Sequence, residues 1–468
     1  MVQENKKVHF VGIKGVGMAA LAILAKDMGY DVTGSDVVDS FVTDSELRQS
    51  GIPVLAFDTE NLKDKPDFVV VSAAFGKDNV EVKEARKKHL EIKAYSEFLS
   101  LLTSNYQLIA VAGIHGKTTT TAIISYLLKK ANLDPSFLIG AGNVVSLDNK
   151  STHLGTGDYF VVEADEYRKS LESNDSKFYD LNPKIEIITS IEMDHPDLFL
   201  TDENVYEAFY KFAIKTPRLG FIVLCTDYPK AKKLLRTLVD RNFETYGFLE
   251  GARWQIQDYE ENENTTSFKI KNIEKVYGPF SISLPGKGNV LNATAAIITT
   301  LKLQVEESLI KKYLPEFAGV KRRFEKIGQK GNLTIIDDYA HHPRSVKLTL
   351  EAARKKYPNR QILCIFQPHT FSRTKEFIEE FATSFNDADK VIVTSIYASA
   401  REERGTITGD DLAAKIRQNQ KQVKYVDDFQ VIINEVIDSL DKPTLLITMG
   451  AGDIYKIGNQ ILARVNGQ

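Results

Sequence analysis

The stretch Ile109-Ala-Val-Ala-Gly-Ile-His-Gly-Lys-Thr-Thr-Thr-Thr121 decides the reading of this chain, because it runs from a short apolar strand through a glycine loop into a helix start. Backbone N–H groups freed at such a turn converge on one point, the helix dipole adds partial positive charge, and a lysine ammonium reaches the same place. Gly113, Ile114, His115, Gly116, Lys117, Thr118 and Thr119 are therefore a candidate cradle for the phosphates of ATP, with the Thr118 hydroxyl offered to Mg²⁺. Val111 stands where the common G-x-x-x-x-G-K-[ST] spacing has glycine, so Gly113-Ile-His-Gly116-Lys117-Thr118 is a shortened form of that loop.

Outward from this point, apolar runs of strand length alternate with helical patterns: Val8 to Gly12, Phe68 to Ser72, Gln107 to Ala112, Tyr159 to Glu163, Ile185 to Ile191 and Phe221 to Cys225. That alternation predicts an α/β fold of parallel sheets covered by helices. A length of 468 residues exceeds one ordinary core, and breaks near Thr103 to Tyr106 and Ala318 to Val320 divide the chain into 1–104, 105–318 and 319–468. Gln255 to Ser283 alternates polar and apolar residues around an Asn/Glu-rich turn, which predicts an antiparallel hairpin at an edge of the middle domain.

Composition narrows the function. Lys and Arg total 60 against 63 Asp and Glu, a net charge of −3, so nucleic acid and anionic membranes are not expected partners and the ligand is expected to be small. The 2 cysteines, Cys225 and Cys364, form no disulfide framework and no metal-binding spacing, which fits a reducing compartment. With no signal-peptide pattern and no apolar run of membrane-spanning length, a cytoplasmic location is expected, while oligomeric state leaves no mark in the sequence.

Further clusters fall at predicted strand ends. Gly12-Ile-Lys-Gly15-Val16-Gly17-Met18 follows a strand, opens a helix, and is succeeded by Ser35-Asp36 after the next strand. Its G-x-x-G-x-G order misses the nicotinamide fingerprint, yet a helix N-terminus there favours a diphosphate, with Ser35 and Asp36 at the nucleoside end; the plain alternative is a tight turn needing small residues. Glu163, first off its strand in Glu163-Ala-Asp165-Glu166, is a candidate Mg²⁺ ligand, against a solvated acidic loop. His195, in Glu192-Met-Asp194-His195-Pro-Asp197, is a candidate ligand of a second metal, against a structural histidine. Asn289 and Asn292 share one side of a helix start and can cap it or read an adenine edge. In the last third, Lys321-Arg-Arg323-Phe, Asp337-Asp338-Tyr-Ala-His341-His342-Pro343 and Phe366-Gln-Pro-His369-Thr-Phe-Ser-Arg373-Thr374 read together as one wall of a site, in which the Arg373 fork can hold a carboxylate or phosphate.

Taken in order and spacing, these motifs resemble those of the Mur ligases of peptidoglycan synthesis over essentially the whole chain, and most resemble the alanine-adding branch. The resemblance implies three domains: a Rossmann-like N-terminal domain for a UDP-sugar, a central P-loop ATPase-type domain, and a Rossmann-like C-terminal domain that closes over ATP and amino acid. It implies that the lactyl carboxylate of UDP-N-acetylmuramate takes the γ-phosphate of ATP and that L-alanine then attacks the acyl phosphate. It further implies ATP-directed roles for Asn289, Asn292, Arg323 and Asp338, two Mg²⁺ ions held through Thr118, Glu163 and His195, and catalytic roles for Lys117, His195, His342 and Arg373. His369 with Arg373 is implied at the alanine carboxylate and acyl phosphate.

The chain departs from the family pattern at three places. Gly288 replaces a frequent histidine, Lys211 lies near a lysine that sister ligases modify, and the 168–182 insert is long, its Ser176-Lys177-Phe178 resembling the related murein tripeptide ligases. That tripeptide ligase activity is the alternative within the family. A sensor binding UDP-sugar and ATP without ligation is the alternative outside enzymes, and a nicotinamide dehydrogenase is disfavoured by the glycine order.

Overall fold

The computed structural model describes residues 6–140, 143–398, 402 and 404–467. It contains three α/β units, each built on its own sheet. In the first, five parallel strands lie in the order Val54–Leu55, Asp31–Ser35, Lys7–Val11, Phe68–Val71, Ile92–Ala94. Strand order reverses at Lys7–Val11, the point where doubly wound sheets open a ligand crevice at their carboxyl ends, and the glycine turn at 12–17 sits there.

The middle sheet has ten strands, with Gln107–Ala112 between Ile185–Ile188 and Tyr159–Glu163, all parallel. The hairpin expected at 255–283 is a three-stranded antiparallel meander, Trp254–Glu261, Thr266–Lys271 and Val276–Ile282, on one edge of this sheet. The strand expected over 185–191 stops at Ile188, which leaves Thr189 and Ser190 free to bond the glycine loop beside them. The third unit is a six-stranded sheet with parallel strands Leu333–Asp338, Thr444–Met449, Gln361–Phe366, Lys390–Val393 and Val423–Tyr425, edged by antiparallel Glu325–Lys330.

Helix Lys117–Lys130 is buried from Thr118 to Leu128, the Thr121 and Ser125 hydroxyls donating to the carbonyls of Lys117 and Thr121, and it packs along helix Lys287–Lys302. One continuous apolar core runs from the first unit into the second, whereas the third carries separate cores on the two faces of its sheet. The 168–182 insert folds as a small hairpin, Arg168–Ser170 with Ser173–Ser176, followed by a turn in which Phe178 is fully buried and stacks on Phe212 at 4.5 Å. Burial of a ring this size stabilises by roughly 1.5–3 kcal/mol, enough to pin the hairpin to the middle unit. Glu172 at its tip reaches the first unit, where Arg86 Nη2 donates to it at 2.8 Å. Among the described residues no helix is long and apolar enough to cross a membrane.

Candidate functional site

The strand Gln107–Ala112 ends at Gly113, whose φ of +129° no side chain adopts easily; a Cβ there would lie 2.1 Å from Thr189 Oγ1. Gly116 follows at φ +81°, and a Cβ on it would meet Asn292 Oδ1 at 2.1 Å. The close pairing of the two buried helices thus brings Asn292 against the phosphate loop, a contact that tolerates only glycine. Helix Lys117–Lys130 then begins without a side-chain cap, leaving its first-turn N–H groups to an anion.

A cleft of about 450 Å³ joins all three units. Gly15, Val16, Gly17 and Met18 line it from the first, Ile114 to Thr118, Glu163 and His195 from the second, and Arg323, His341, His369 and Arg373 from the third. A smaller cavity of about 150 Å³ adjoins it, lined by Thr119, Asn289, Asn292, Arg323 and Asp338. The strand-end clusters read from the sequence are therefore drawn together, although His115 and Arg323 are more than 200 residues apart.

Charges in the cleft are paired. Lys117 Nζ donates to Gly113 O at 2.6 Å and to both Glu166 oxygens at 3.0 and 2.8 Å. Burial alone would lower the Lys117 pKa, but Glu166, Asp165 and Glu163 hold it above the usual lysine value. Arg373 Nε donates to Asp194 Oδ1 at 2.8 Å, Nη2 stands 2.8 Å from the same carboxylate, and Nη1 donates to His369 Nδ1 at 3.0 Å. Against the burial that opposes it, Arg373 with His195 and His342 holds Asp194 well below the ordinary carboxylate range. Lys177, from the insert, lies 2.5 Å from Asp165 Oδ2, and with Lys117 it keeps Asp165 well below that range despite burial.

Arg323 crosses from the third unit to donate through Nη2 to Thr118 Oγ1 at 3.1 Å, and its guanidinium stacks 4.8 Å from the Tyr339 ring. Thr118 Oγ1 in turn donates to Glu163 Oε2 at 3.2 Å, while Gly140 N donates to Glu163 Oε1 at 2.7 Å. Burial raises the Glu163 pKa, with Arg323 the largest opposing influence. A hard divalent cation beside Thr118 and Glu163 would favour the ionised carboxylate against that burial, so these two oxygens fit Mg²⁺, an ion that keeps several waters and needs no all-protein cage. His195 lies elsewhere, its Nε2 3.5 Å from Glu166 Oε1, in a left-handed backbone conformation of φ +53°. Among the described residues no three His, Cys, Asp or Glu side chains converge as a metal cage.

Several expectations change. Ser35 is buried and donates to Glu81, and both Asp36 oxygens accept backbone N–H groups, from Lys14 at 2.7 Å and Val37 at 2.8 Å, so this pair braces the glycine turn and offers no side chain to a nucleoside. Gly12, at φ +80°, sits so close to Phe75 and Ser72 that a Cβ would lie 2.5 and 2.9 Å from them, the turn role considered for it. The Arg373 fork, expected open to a ligand carboxylate, is closed on Asp194. His342 is the N-cap of helix Pro343–Lys356, accepting from Arg344 N at 3.3 Å and facing Met193 O at 3.2 Å; burial, then His115, lowers its pKa to about 4. Its ring packs 4.9 Å from that of His115, so it buttresses the phosphate loop from behind. Asp338 accepts from Phe324 N and Ala340 N, both at 2.7 Å, shaping the turn that presents Arg323, and burial raises its pKa to about 6. Asn289 caps nothing: its amide donates to Pro285 O at 2.7 Å.

Other cleft residues escaped the sequence reading. Glu166 and Asp194 sat inside the quoted acidic clusters but were not recognised as the partners of Lys117 and Arg373. Tyr95 lines the cleft beside Gly17, at the start of helix Tyr95–Thr103, and carried no signal at all.

Three family profiles match consecutive parts of the chain: the Mur ligase family catalytic domain over residues 7–107, the Mur ligase middle domain over 111–300, and the Mur ligase glutamate ligase domain over 322–452. A curated protein of Caldanaerobacter subterraneus subsp. tengcongensis named UDP-N-acetylmuramate--L-alanine ligase is 38% identical over 463 residues, 98% of either chain. One of the same name from Desulfitobacterium hafniense is 40% identical, covering 97% of this chain and 99% of its own. The crystal structure of UDP-N-acetylmuramate-alanine ligase MurC from Thermotoga maritima superposes with a TM-score of 0.82 at 27% identity, covering 98% of this chain and 99% of that one. A murein peptide ligase from Psychrobacter arcticus superposes with a TM-score of 0.75 at 26% identity, covering 99% of each. By these matches, which account for the chain from its first glycine turn to its last strand, it belongs to the Mur ligase family.

Proposed function

We propose that this chain is an ATP-dependent amide ligase of peptidoglycan synthesis, working in the cytoplasm, that joins L-alanine to the lactyl carboxylate of UDP-N-acetylmuramate. The observation that carries the reading is the shared cleft, in which the first unit's glycine turn, the phosphate loop and the third unit's strand ends face one another. The names of the full-length relatives supply the amino acid and the sugar nucleotide. In this reading residues 1–104 hold the UDP-sugar at Gly15, Val16, Gly17 and Met18, residues 105–318 hold ATP, and residues 319–468 close over both.

A lactyl carboxylate oxygen attacks the γ-phosphorus, the β–γ bridging bond breaks and ADP leaves. The neutral amine of alanine adds to the acyl carbon, the bond to the phosphate oxygen breaks, and the amine nitrogen loses its proton as inorganic phosphate leaves. Lys117 and the helix start at 117–119 draw negative charge from the triphosphate, and Arg323 meets it from the opposite wall. Mg²⁺ would be held by Thr118 and Glu163, with a second ion near His195, and when bound would supply further charge neutralisation. Asn289 and Asn292 face the adenine. Arg373 keeps Asp194 and His369 in register at the amino-acid end, and its buried positive charge favours the alanine carboxylate and the acyl phosphate. Closure of the third unit keeps water from the acyl phosphate, which hydrolyses readily.

The test is phosphate release by purified protein with ATP, Mg²⁺ and UDP-N-acetylmuramate, scanned across amino acids and the tripeptide. Alanine-dependent release supports the reading. Release with the tripeptide alone supports a murein peptide ligase, the alternative to which Ser176-Lys177-Phe178 of the insert points. Binding of both nucleotides with no acceptor-dependent release supports a sensor.

A further inference from the structure

The hairpin insert carries Lys177 into the junction of two cavities. Besides the main cleft, a side cavity of about 170 Å³ opens between the second and third units. Asp165, Lys177, His195, His369 and Arg373 line both. An acyl group in the main cleft and an amine in the side cavity would meet at this shared wall. Of its two permanent cations, Arg373 is saturated by Asp194 and His369 and only 3% of its side chain is exposed. The Lys177 side chain is 17% exposed, and of its three donors one is directed to Asp165.

Its position is fixed from both sides. Lys177 N donates to Tyr167 O at 2.9 Å, Phe178 N donates to Asp165 O at 3.1 Å, and the buried Phe178 ring anchors the turn. A lysine held by its neighbours' packing and main-chain bonds is pre-organised for a ligand, as binding groups need to be.

We infer that Lys177 binds the lactyl carboxylate of the sugar nucleotide and positions it for phosphoryl transfer, an inference that rests on the function proposed above. The ammonium is then shared between Asp165 and the substrate carboxylate, and it stays hydrogen-bonded to the same oxygen when that group becomes a carbonyl under attack. No bond to Lys177 forms or breaks. The insert is in this view a substrate-reading element and not a decoration of the surface.

The test compares binding of UDP-N-acetylmuramate with UDP-N-acetylglucosamine, which lacks the lactyl group, by titration calorimetry on the full chain. Lys177→Met is expected to weaken UDP-N-acetylmuramate on the order of tenfold to a hundredfold, the worth of a charge-assisted hydrogen bond, and to leave UDP-N-acetylglucosamine unchanged. Lys177→Arg should retain most of the preference, and Glu172→Gln at the hairpin tip should retain all of it. The double variant Lys177→Met/Asp165→Asn separates the roles: if Lys177 only neutralises Asp165, the double variant regains wild-type affinity and the inference is overturned. Unchanged discrimination in Lys177→Met overturns it equally. If the wild-type chain does not prefer UDP-N-acetylmuramate in the first place, it is the proposed substrate that fails.

Discussion

Arg323 donates to the Thr118 hydroxyl at 3.1 Å, so a residue of the third unit completes the phosphate loop of the second. Arg323→Ala is expected to raise KM for ATP about tenfold, the loss of one charged hydrogen bond, while the affinity for the UDP-sugar stays within about twofold. Arg323→Lys should fail to restore it, because an ammonium cannot both lie flat on the Tyr339 ring and reach Thr118. Steady-state kinetics with each substrate varied in turn decides.

Lys117→Ala should cut ATP turnover by a factor on the order of a thousand, since the cation nearest the transferred phosphoryl group is gone. Binding of the UDP-sugar, lodged against the first unit's glycine turn, should change by less than about threefold. Calorimetry with the sugar nucleotide alone separates the two. Loss of both would mean that the sugar nucleotide does not sit where Gly15 to Met18 open the helix.

Arg373→Ala leaves Asp194, 4% exposed, without its strongest partner. Stability should drop by about 3–5 kcal/mol, as for other broken buried pairs, and KM for alanine should rise more than KM for ATP. Adding Asp194→Asn should recover most of the melting temperature but not the use of alanine. Recovery of both would reduce Arg373 to a structural residue.

Glu186 lies wholly buried in the middle strand Ile185–Ile188, its listener a single hydroxyl: Thr216 Oγ1 donates to it at 2.7 Å. Burial raises its pKa from 4.5 to about 8. The folded chain therefore keeps a proton that the unfolded chain releases, and stability falls as pH rises from about 4.5 to about 8, by up to about 1.4 kcal/mol per unit. Glu186→Gln removes that slope. It should raise the melting temperature at pH 8.5 and change it little at pH 5; an equal shift at both pH values would show that Glu186 does not titrate in this range.

The strands, their parallel pairing and the glycine loop were legible because each rests on local chemistry: apolar runs of strand length, and a Gly-Lys-Thr end that only a phosphate-type turn explains. The residues gathered at the cleft were legible as separate strand-end clusters. Their partners were not. That Arg373 closes on Asp194 and Lys117 on Glu166 depends on how the units dock, which no window of sequence records. Ser35 and Asp36 misled for the same reason: strand-end placement put them near a ligand, but whether a carboxylate faces outward or caps its own loop is fixed by a few ångströms of backbone. His342 was read as a histidine in a rich cluster, whereas the structure makes it the N-cap of helix Pro343–Lys356.

Because Lys117, Arg373 and Lys177 each arrive already matched to an acid, the chain's evolutionary freedom in this cleft is restricted to couples. A lineage that loses Asp194 must soon alter Arg373, and one that deletes the hairpin with Lys177 must soften Asp165. A change at one member of a couple is thus expected to need a second change at the other before the fold regains its stability.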